Sequence, residues 1–231
     1  MQKEHGKYFA DYQAFQKFLK GERLPLSFAF RAFIKLPVDV LEWILRYFPG
    51  PFGYKSRAIY YGFRLKHLGK NVLIDTGVMF SGHANISIGD YVWIDANCMI
   101  GAALGEISIG RRVHVGPFSI IAAHEKVTLE NYVGLSSGVR IYSGSEAPRS
   151  GKRMSGPMLP EEYRGFRTGP VHLKKDSFVG SNSVILPGVT LGEGAVVGAC
   201  AVIRKDVEPF DVVVGDGRVI GRRDPVTSEE I

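Results

Sequence analysis

A mark placed on every sixth residue from Leu173 falls on Leu173, Val179, Ile185, Leu191, Val197 and Ile203, all aliphatic. With pauses, the same register runs upstream through Ile74 and Phe80, then Ile88, Ile94 and Ile100, then Ile109, Val115 and Ile121, then Leu129, Leu135 and Ile141. Four residues after a mark stands something small or β-branched, among them Val78, Ala84, Val92, Cys98, Val113, Ser119, Val133, Val139, Ser183, Val189, Ala195 and Ala201. Gly often follows the mark directly, as at Gly89, Gly110, Gly116, Gly180, Gly192 and Gly198. A period of six is neither the 3.6 of an amphipathic helix nor the 2 of a half-buried strand. A repeating corner satisfies it. Short strands joined by tight turns, three to a coil, turn one large aliphatic and one small residue inward on each side and need Gly where the backbone bends. The expected fold is an all-β solenoid, a triangular prism of stacked coils.

The spacing of the coils locates the irregularities. Ile88, Ile109 and Leu129 begin successive coils 21 and 20 residues apart, against 18 between Leu173 and Leu191. The surplus falls after the third strand each time, at Ala102 to Glu106 and at Ala123 to Lys126. At that same corner the register is lost after Ile141 and resumes at Leu173, so residues 142–170 read as an insertion loop. The organisation is then an N-terminal cap over 1–70, a β-helix over 71–215 and a C-terminal tail over 216–231.

Composition removes several classes. Two Cys in 231 residues exclude a disulfide scaffold, and no apolar run approaches the roughly 20 residues a spanning helix needs. Met1 to Tyr12 is polar and charged, with no apolar core and no small-residue cleavage site, so a cytoplasmic location is expected. A net charge of +6 suits nucleic acid, anionic lipid or a phosphorylated small molecule, and position must decide between them. Cys98 at an inward small position and Cys200 at a turn read as packing residues or free thiols.

The stretch VGSNSVILPGVTLGEGAVVGACAVIRKDV (Val179 to Val207), followed by VVGDGRVIGRR, resembles the hexapeptide-repeat acyltransferases. The resemblance spans Asn71 to Arg223 and implies a left-handed parallel β-helix, an acyl-CoA donor, and a trimer. The nearest flavour is that of sugar acetyltransferases of the maltose and galactoside type and their relatives in surface-polysaccharide synthesis. Three parallel prisms side by side leave three grooves, each long enough for coenzyme A. The thin, amide-bearing pantetheine arm suits turns lined by small residues, and the nucleotide end needs cations for its phosphates. The resemblance places Ser181 and Ala199 at pantetheine contacts, Arg204 and Lys205 near the nucleotide, and Arg218 at a further coenzyme A contact. The family's next Arg is Gly221 here, with Arg222 adjacent. Ser181 and Ala199 also read as small turn residues, and Arg204-Lys205 as a solvated corner.

In the sugar acetyltransferases a His at the start of the loop deprotonates the acceptor hydroxyl. Here that stretch is Ser143, Gly144, Ser145 and Glu146. Register arithmetic offers a substitute. His124 lies three residues after Ile121 and Gly144 three after Ile141, so both occupy one corner of adjacent coils, separated by the strand spacing of roughly 4.8 Å. His124 is the candidate general base, with Glu146 as the group that orients it; each reads otherwise as a hydrophilic surface residue. His83 shares the corner but two coils away, and His172 closes the loop. An amine acceptor needs no strong base, because a neutral amine attacks a thioester and the departing thiolate collects the proton. The missing loop His therefore favours a nucleotide-linked amino sugar, and the loop cations Arg149, Lys152, Arg153, Arg164 and Arg167 suit its phosphates.

Before residue 71 there are no hexads. Tyr8, Tyr12, Phe15, Phe18 and Leu19, then Phe28 to Ile34, then Val40 to Phe48 space like short amphipathic helices broken at Pro25, Pro37 and Pro49-Gly50-Pro51. Aromatic and basic residues interleave from Tyr54 to Lys66. The region reads as a cap on the open end of the prism, as solenoids require, or as a surface lying on anionic membrane lipid. No recognition motif accompanies the charge, so nucleic acid is not an expected partner. Two other functions share the fold. A zinc-dependent hydratase would need converging histidines, and His83, His114 and His124 show no paired spacing on one coil, so no metal is expected. A non-catalytic scaffold would use the β-helix as a spacer.

Overall fold

The large aliphatics and the small residues between them divide the work of a corner. All seventeen marked residues are buried, and so are the small residues that follow them, except Ala84. Ala84 is exposed because the corner there closes in a 3-10 turn, His83–Asn85. The computed structural model describes residues 14, 16–23, 26–154 and 158–227. Tyr8, Tyr12, Phe15 and Pro25 lie outside the described residues.

The strands stack into three parallel ladders. One face joins His67–Leu68, Ile86–Ile88, Glu106–Ile109, Lys126–Leu129, Val171–Leu173 and Thr190–Leu191. The second runs from Leu73–Ile74 through Trp93–Ile94, His114–Val115, Gly134–Leu135, Phe178–Val179 and Val196–Val197 to Asp211–Val214, where Arg218–Arg222 adds an antiparallel edge. The third joins Met79–Ser81, Met99–Gly101, Ile120–Ala122, Arg140–Tyr142, Val184–Ile185 and Val202–Ile203. The marked residues sit directly above one another, as in Ile100 against Ile121 and Ile141 against Ile185. The faces differ outside. The first shows Ser87, Ser108, Thr128 and Thr190, while the second exposes Leu73, Trp93 and Phe178 and the third Met79 and Met99.

The bend itself is not at the Gly that follows the mark. The left-handed backbone falls three residues after the mark, at Tyr91, Asn97, Arg112, Phe118, Tyr132, Asp176, Asn182 and Cys200. Gly180 and its equivalents serve a close approach instead: a Cβ on Gly180 would lie 2.6 Å from Ala199 N on the next coil. Ten of the described residues other than Gly hold a positive φ, because the stacked coil dictates the corner and tolerates Asn, Tyr or Phe there.

Between a helical stretch at 16–19 and the coils stand α1 (Leu26–Tyr47) and α2 (Gly50–Gly62). The expected break at Pro37 does not occur; α1 continues through it. Proline removes one N–H from the ladder, and residues 31–40 are exposed, so water can satisfy the carbonyl that loses its donor. The break at Pro49-Gly50-Pro51 does occur, with Pro49 extended and a Pro in the first turn of α2. α2 closes the end of the prism. Arg57 is buried beneath it and donates from Nε to Ile74 O at 2.7 Å and from Nη1 to Phe48 O at 2.7 Å. Tyr61 packs edge-on against Phe80 with ring centroids 4.7 Å apart. The His83 ring stacks on Tyr61, which makes it part of this closure.

The chain forms two compact units, Met1–Leu45 with Ser145–Arg167, and Arg46–Gly144 with Thr168–Ile231. The second holds the coils and α2. Among the described residues no helix is long and apolar enough to cross a membrane.

Candidate functional site

The surplus residues after the third strand build the corner at which the insertion leaves. Strand Met99–Gly101 ends and Glu106–Ile109 begins with the bulge between them, and Ile120–Ala122 and Lys126–Leu129 repeat the pattern one coil on. His124 lies in this second bulge. Ser143 is fully buried at the same corner of the following coil, and its Oγ accepts from His124 N at 2.8 Å and Glu125 N at 2.9 Å. The adjacency expected between His124 and the start of the insertion is thus built through the Ser143 side chain. The far end of the insertion returns to this place, where Gly169 N donates to Ser143 O at 3.0 Å and Thr168 Oγ1 donates to Glu125 Oε1.

The insertion carries structure of its own. Gly144–Glu146 and Phe166–Thr168 form a two-stranded sheet, and Glu161–Tyr163 a 3-10 turn. Glu146 Oε1 accepts from Arg164 Nη2 at 2.9 Å, with both side chains mostly covered, and the Arg164 guanidinium also lies over the Phe166 ring at 5.4 Å. Glu146 therefore ties the two arms of the loop together.

The residues assigned to coenzyme A fall in two places. Ser181 and Ala199 occupy one corner of successive coils, in line with Pro117 and Ser137 above them; Cys200 N donates to Ser181 O at 2.8 Å and Asn182 N to Ser137 O at 2.9 Å. The Ser181 hydroxyl lies 2.6 Å from that of Ser136, while Ala199 and Cys200 are exposed. Arg204 and Lys205 are exposed at the next corner of the last full coil, and Arg218 is exposed on the antiparallel strand below. Arg222 is committed to the hairpin, with Nη2 donating to Pro209 O at 2.8 Å and Nε 3.4 Å from Asp211 Oδ1. Within one chain, His124 and the pantetheine residues border opposite edges of the third face, so one chain does not bring them to a common corner.

Two further histidines pair with carboxylates. His172 Nε2 lies 2.6 Å from Glu130 Oε1, and Glu130 Oε2 accepts from Lys175 N at 2.9 Å. His114 Nε2 lies 2.8 Å from Asp95 Oδ2 on the neighbouring coil, beside Trp93. Composition gives no sign of the second pair, but the register does, since Trp93 and His114 face each other across the ladder. Burial pushes the Cys98 thiol up to about 11, so it is packing rather than chemistry. Among the described residues no group of three or more His, Cys, Asp or Glu is placed to hold a metal ion.

The comparisons with known proteins agree with this architecture. The family described as bacterial transferase hexapeptide (six repeats) matches residues 170–205. The chain is 42% identical over 150 residues to a dTDP-4-amino-4,6-dideoxy-D-glucose acyltransferase from Escherichia coli, a match covering 65% of this chain and 78% of that one. It is similar to the structure of AntD, an N-acyltransferase from Bacillus cereus, in complex with dTDP and 3-hydroxybutyryl-CoA, with 29% identity, a TM-score of 0.69, and coverage of 73% and 89% of the two chains. An AntD point variant solved with dTDP-4-amino-4,6-dideoxyglucose and coenzyme A gives 28% identity, a TM-score of 0.69 and coverage of 74% and 90%. The chain belongs to the hexapeptide-repeat acyltransferases, and its solenoid is the left-handed parallel β-helix that the resemblance implied.

Proposed function

We propose that the protein transfers an acyl group, acetyl in the simplest case, from acyl-CoA to the amine of a nucleotide-linked amino sugar of the dTDP-4-amino-4,6-dideoxyhexose kind. The observation that carries this is the match over 78% of a relative with that activity, joined to a loop corner with no His at its start. The neutral amine attacks the thioester carbonyl, a backbone N–H in the groove holds the tetrahedral oxyanion, and coenzyme A leaves as the thiolate. The amine's surplus proton passes to the thiolate or to His124, whose position is held by the Ser143 hydroxyl. Ser181 and Ala199 take the pantetheine, and Arg204, Lys205 and Arg218 the phosphates of the nucleotide end. Glu146, paired with Arg164, holds the two arms of the insertion together.

The working form in this reading is a cytoplasmic homotrimer. Exposed Leu73, Trp93, Phe178, Met79 and Met99 give two of the three faces apolar patches for neighbouring prisms, while the first face is polar. The separation of His124 from Ser181 and Ala199 within one chain supports a site shared between subunits.

Thermal melting tests the pairing of ligands. Coenzyme A and a dTDP-amino sugar should each raise the melting temperature, because each binds only the folded state. A sample that responds to neither ligand, or that scatters light as a 25.5 kDa monomer, would contradict the reading.

A further inference from the structure

Charge is divided unevenly along the chain. Residues 1–70 hold 13 of the 29 Lys and Arg but 5 of the 23 Asp and Glu, so this region is strongly cationic and the remainder slightly anionic. No acidic residue stands between Glu42 and Asp75, an interval that contains Arg46, Lys55, Arg57, Arg64, Lys66 and Lys70.

α2 sets an apolar stripe in the middle of that interval. Phe52 and Ile59 are seven residues apart and Phe63 is four further on, which aligns them along one side of the helix. The opposite side, Gly53, Arg57 and Tyr61, is the buried one. Phe52, Ile59 and Phe63 are 79%, 55% and 86% exposed, and the Lys55 and Arg64 side chains stand exposed beside them. α1 repeats the arrangement independently. Leu26, Phe30, Phe33, Leu41 and Ile44 share one exposed face, and Arg31, Lys35 and Arg46 lie on the other.

We infer that α2 and the two residues after it form a docking surface for an anionic lipid membrane, with Phe52, Ile59 and Phe63 entering the boundary between headgroups and acyl chains and Lys55 and Arg64 meeting lipid phosphates. A cationic amphipathic helix bearing Phe and Leu has that preference. A second copy of the chain is disfavoured as the occupant, because its matching surface has the same charge. Nucleic acid would use the cations but leave the apolar stripe in water. The surface adjoins the first coil, whereas Ser181, Ala199, Arg204 and Lys205 belong to the last two full coils, so contact with lipid does not cover them.

Vesicle flotation of the full chain tests this. Binding to phosphatidylcholine vesicles containing phosphatidylglycerol should exceed binding to phosphatidylcholine alone by about tenfold or more and should collapse near 1 M salt. The Phe52→Ser, Phe63→Ser variant, altered only at exposed positions, should lose flotation while keeping its melting temperature and acyl-transfer activity. Lys55→Glu with Arg64→Glu should abolish the preference for anionic vesicles. Equal retention on both vesicle types, or flotation with neither, would overturn the inference. So would concentration-dependent self-association that the Phe52→Ser, Phe63→Ser variant abolishes, which would assign the stripe to a protein interface.

Discussion

The Ser143 hydroxyl accepts hydrogen bonds from two consecutive backbone N–H groups of the preceding coil, those of His124 at 2.8 Å and Glu125 at 2.9 Å. One buried side chain thereby fixes both the bulge that carries His124 and the point at which the insertion leaves the coil. Ser143→Ala would leave two N–H groups unsatisfied at a buried corner, a loss of about 1 to 3 kcal/mol for each such group. The expected outcome is a lowered melting temperature and weaker activity, with coenzyme A affinity unchanged. Chemical denaturation and a coenzyme A titration check the two halves separately.

His124 itself should matter modestly. An amine acceptor brings its own nucleophile, so His124→Ala should reduce kcat by less than about tenfold, and the pH profile should follow the substrate amine. His114→Ala, which dismantles the pair with Asp95, serves as the parallel measurement and should also cost less than about tenfold. A loss of about 10² to 10⁴ in one variant, with coenzyme A affinity unchanged, would identify that imidazole as a general base.

Charge-assisted phosphate contacts contribute about 1.5 to 3 kcal/mol each. The Arg204→Ala, Lys205→Ala double variant should therefore weaken coenzyme A binding by at least about tenfold and leave the amino-sugar affinity alone. Unchanged coenzyme A affinity would move the nucleotide end to another corner of the prism.

Cys200 gives a chemical probe of the same lane, because it is exposed directly after Ala199. Cys98 is buried with its thiol pushed up to about 11, so at pH 8 it stays protonated and unreactive. Maleimide should label Cys200 alone, and saturating coenzyme A should slow that labelling. Labelling that is indifferent to coenzyme A would separate the bound cofactor from the Ser181–Ala199 corner.

Much of this was legible because a stacked coil repeats a packing requirement every six residues. The buried column from Ile74 to Ile203 is the sequence period seen in three dimensions. The bulged corners and the place of the insertion follow from counting coil lengths, and the adjacency of His124 and Ser143 follows from the same count. Three features were hidden for physical reasons. The bends rest on residues such as Phe118 and Arg112, whose side chains carry no sign of a left-handed backbone. Pro37 sits in a helix open to water on the side where its missing donor is felt. The Glu146–Arg164 pair lies in the insertion, where no period exists to place one residue against another.

The most direct measurement combines the protein with acetyl-CoA and dTDP-4-amino-4,6-dideoxyglucose and follows free thiol and the mass of the sugar nucleotide together. One thiol should appear for each sugar that gains an acetyl group, and the product should resist the mild base that cleaves esters, as an amide does. Thiol release with an acceptor lacking the amine, a base-labile product, or no thiol release at all would contradict acyl transfer to nitrogen.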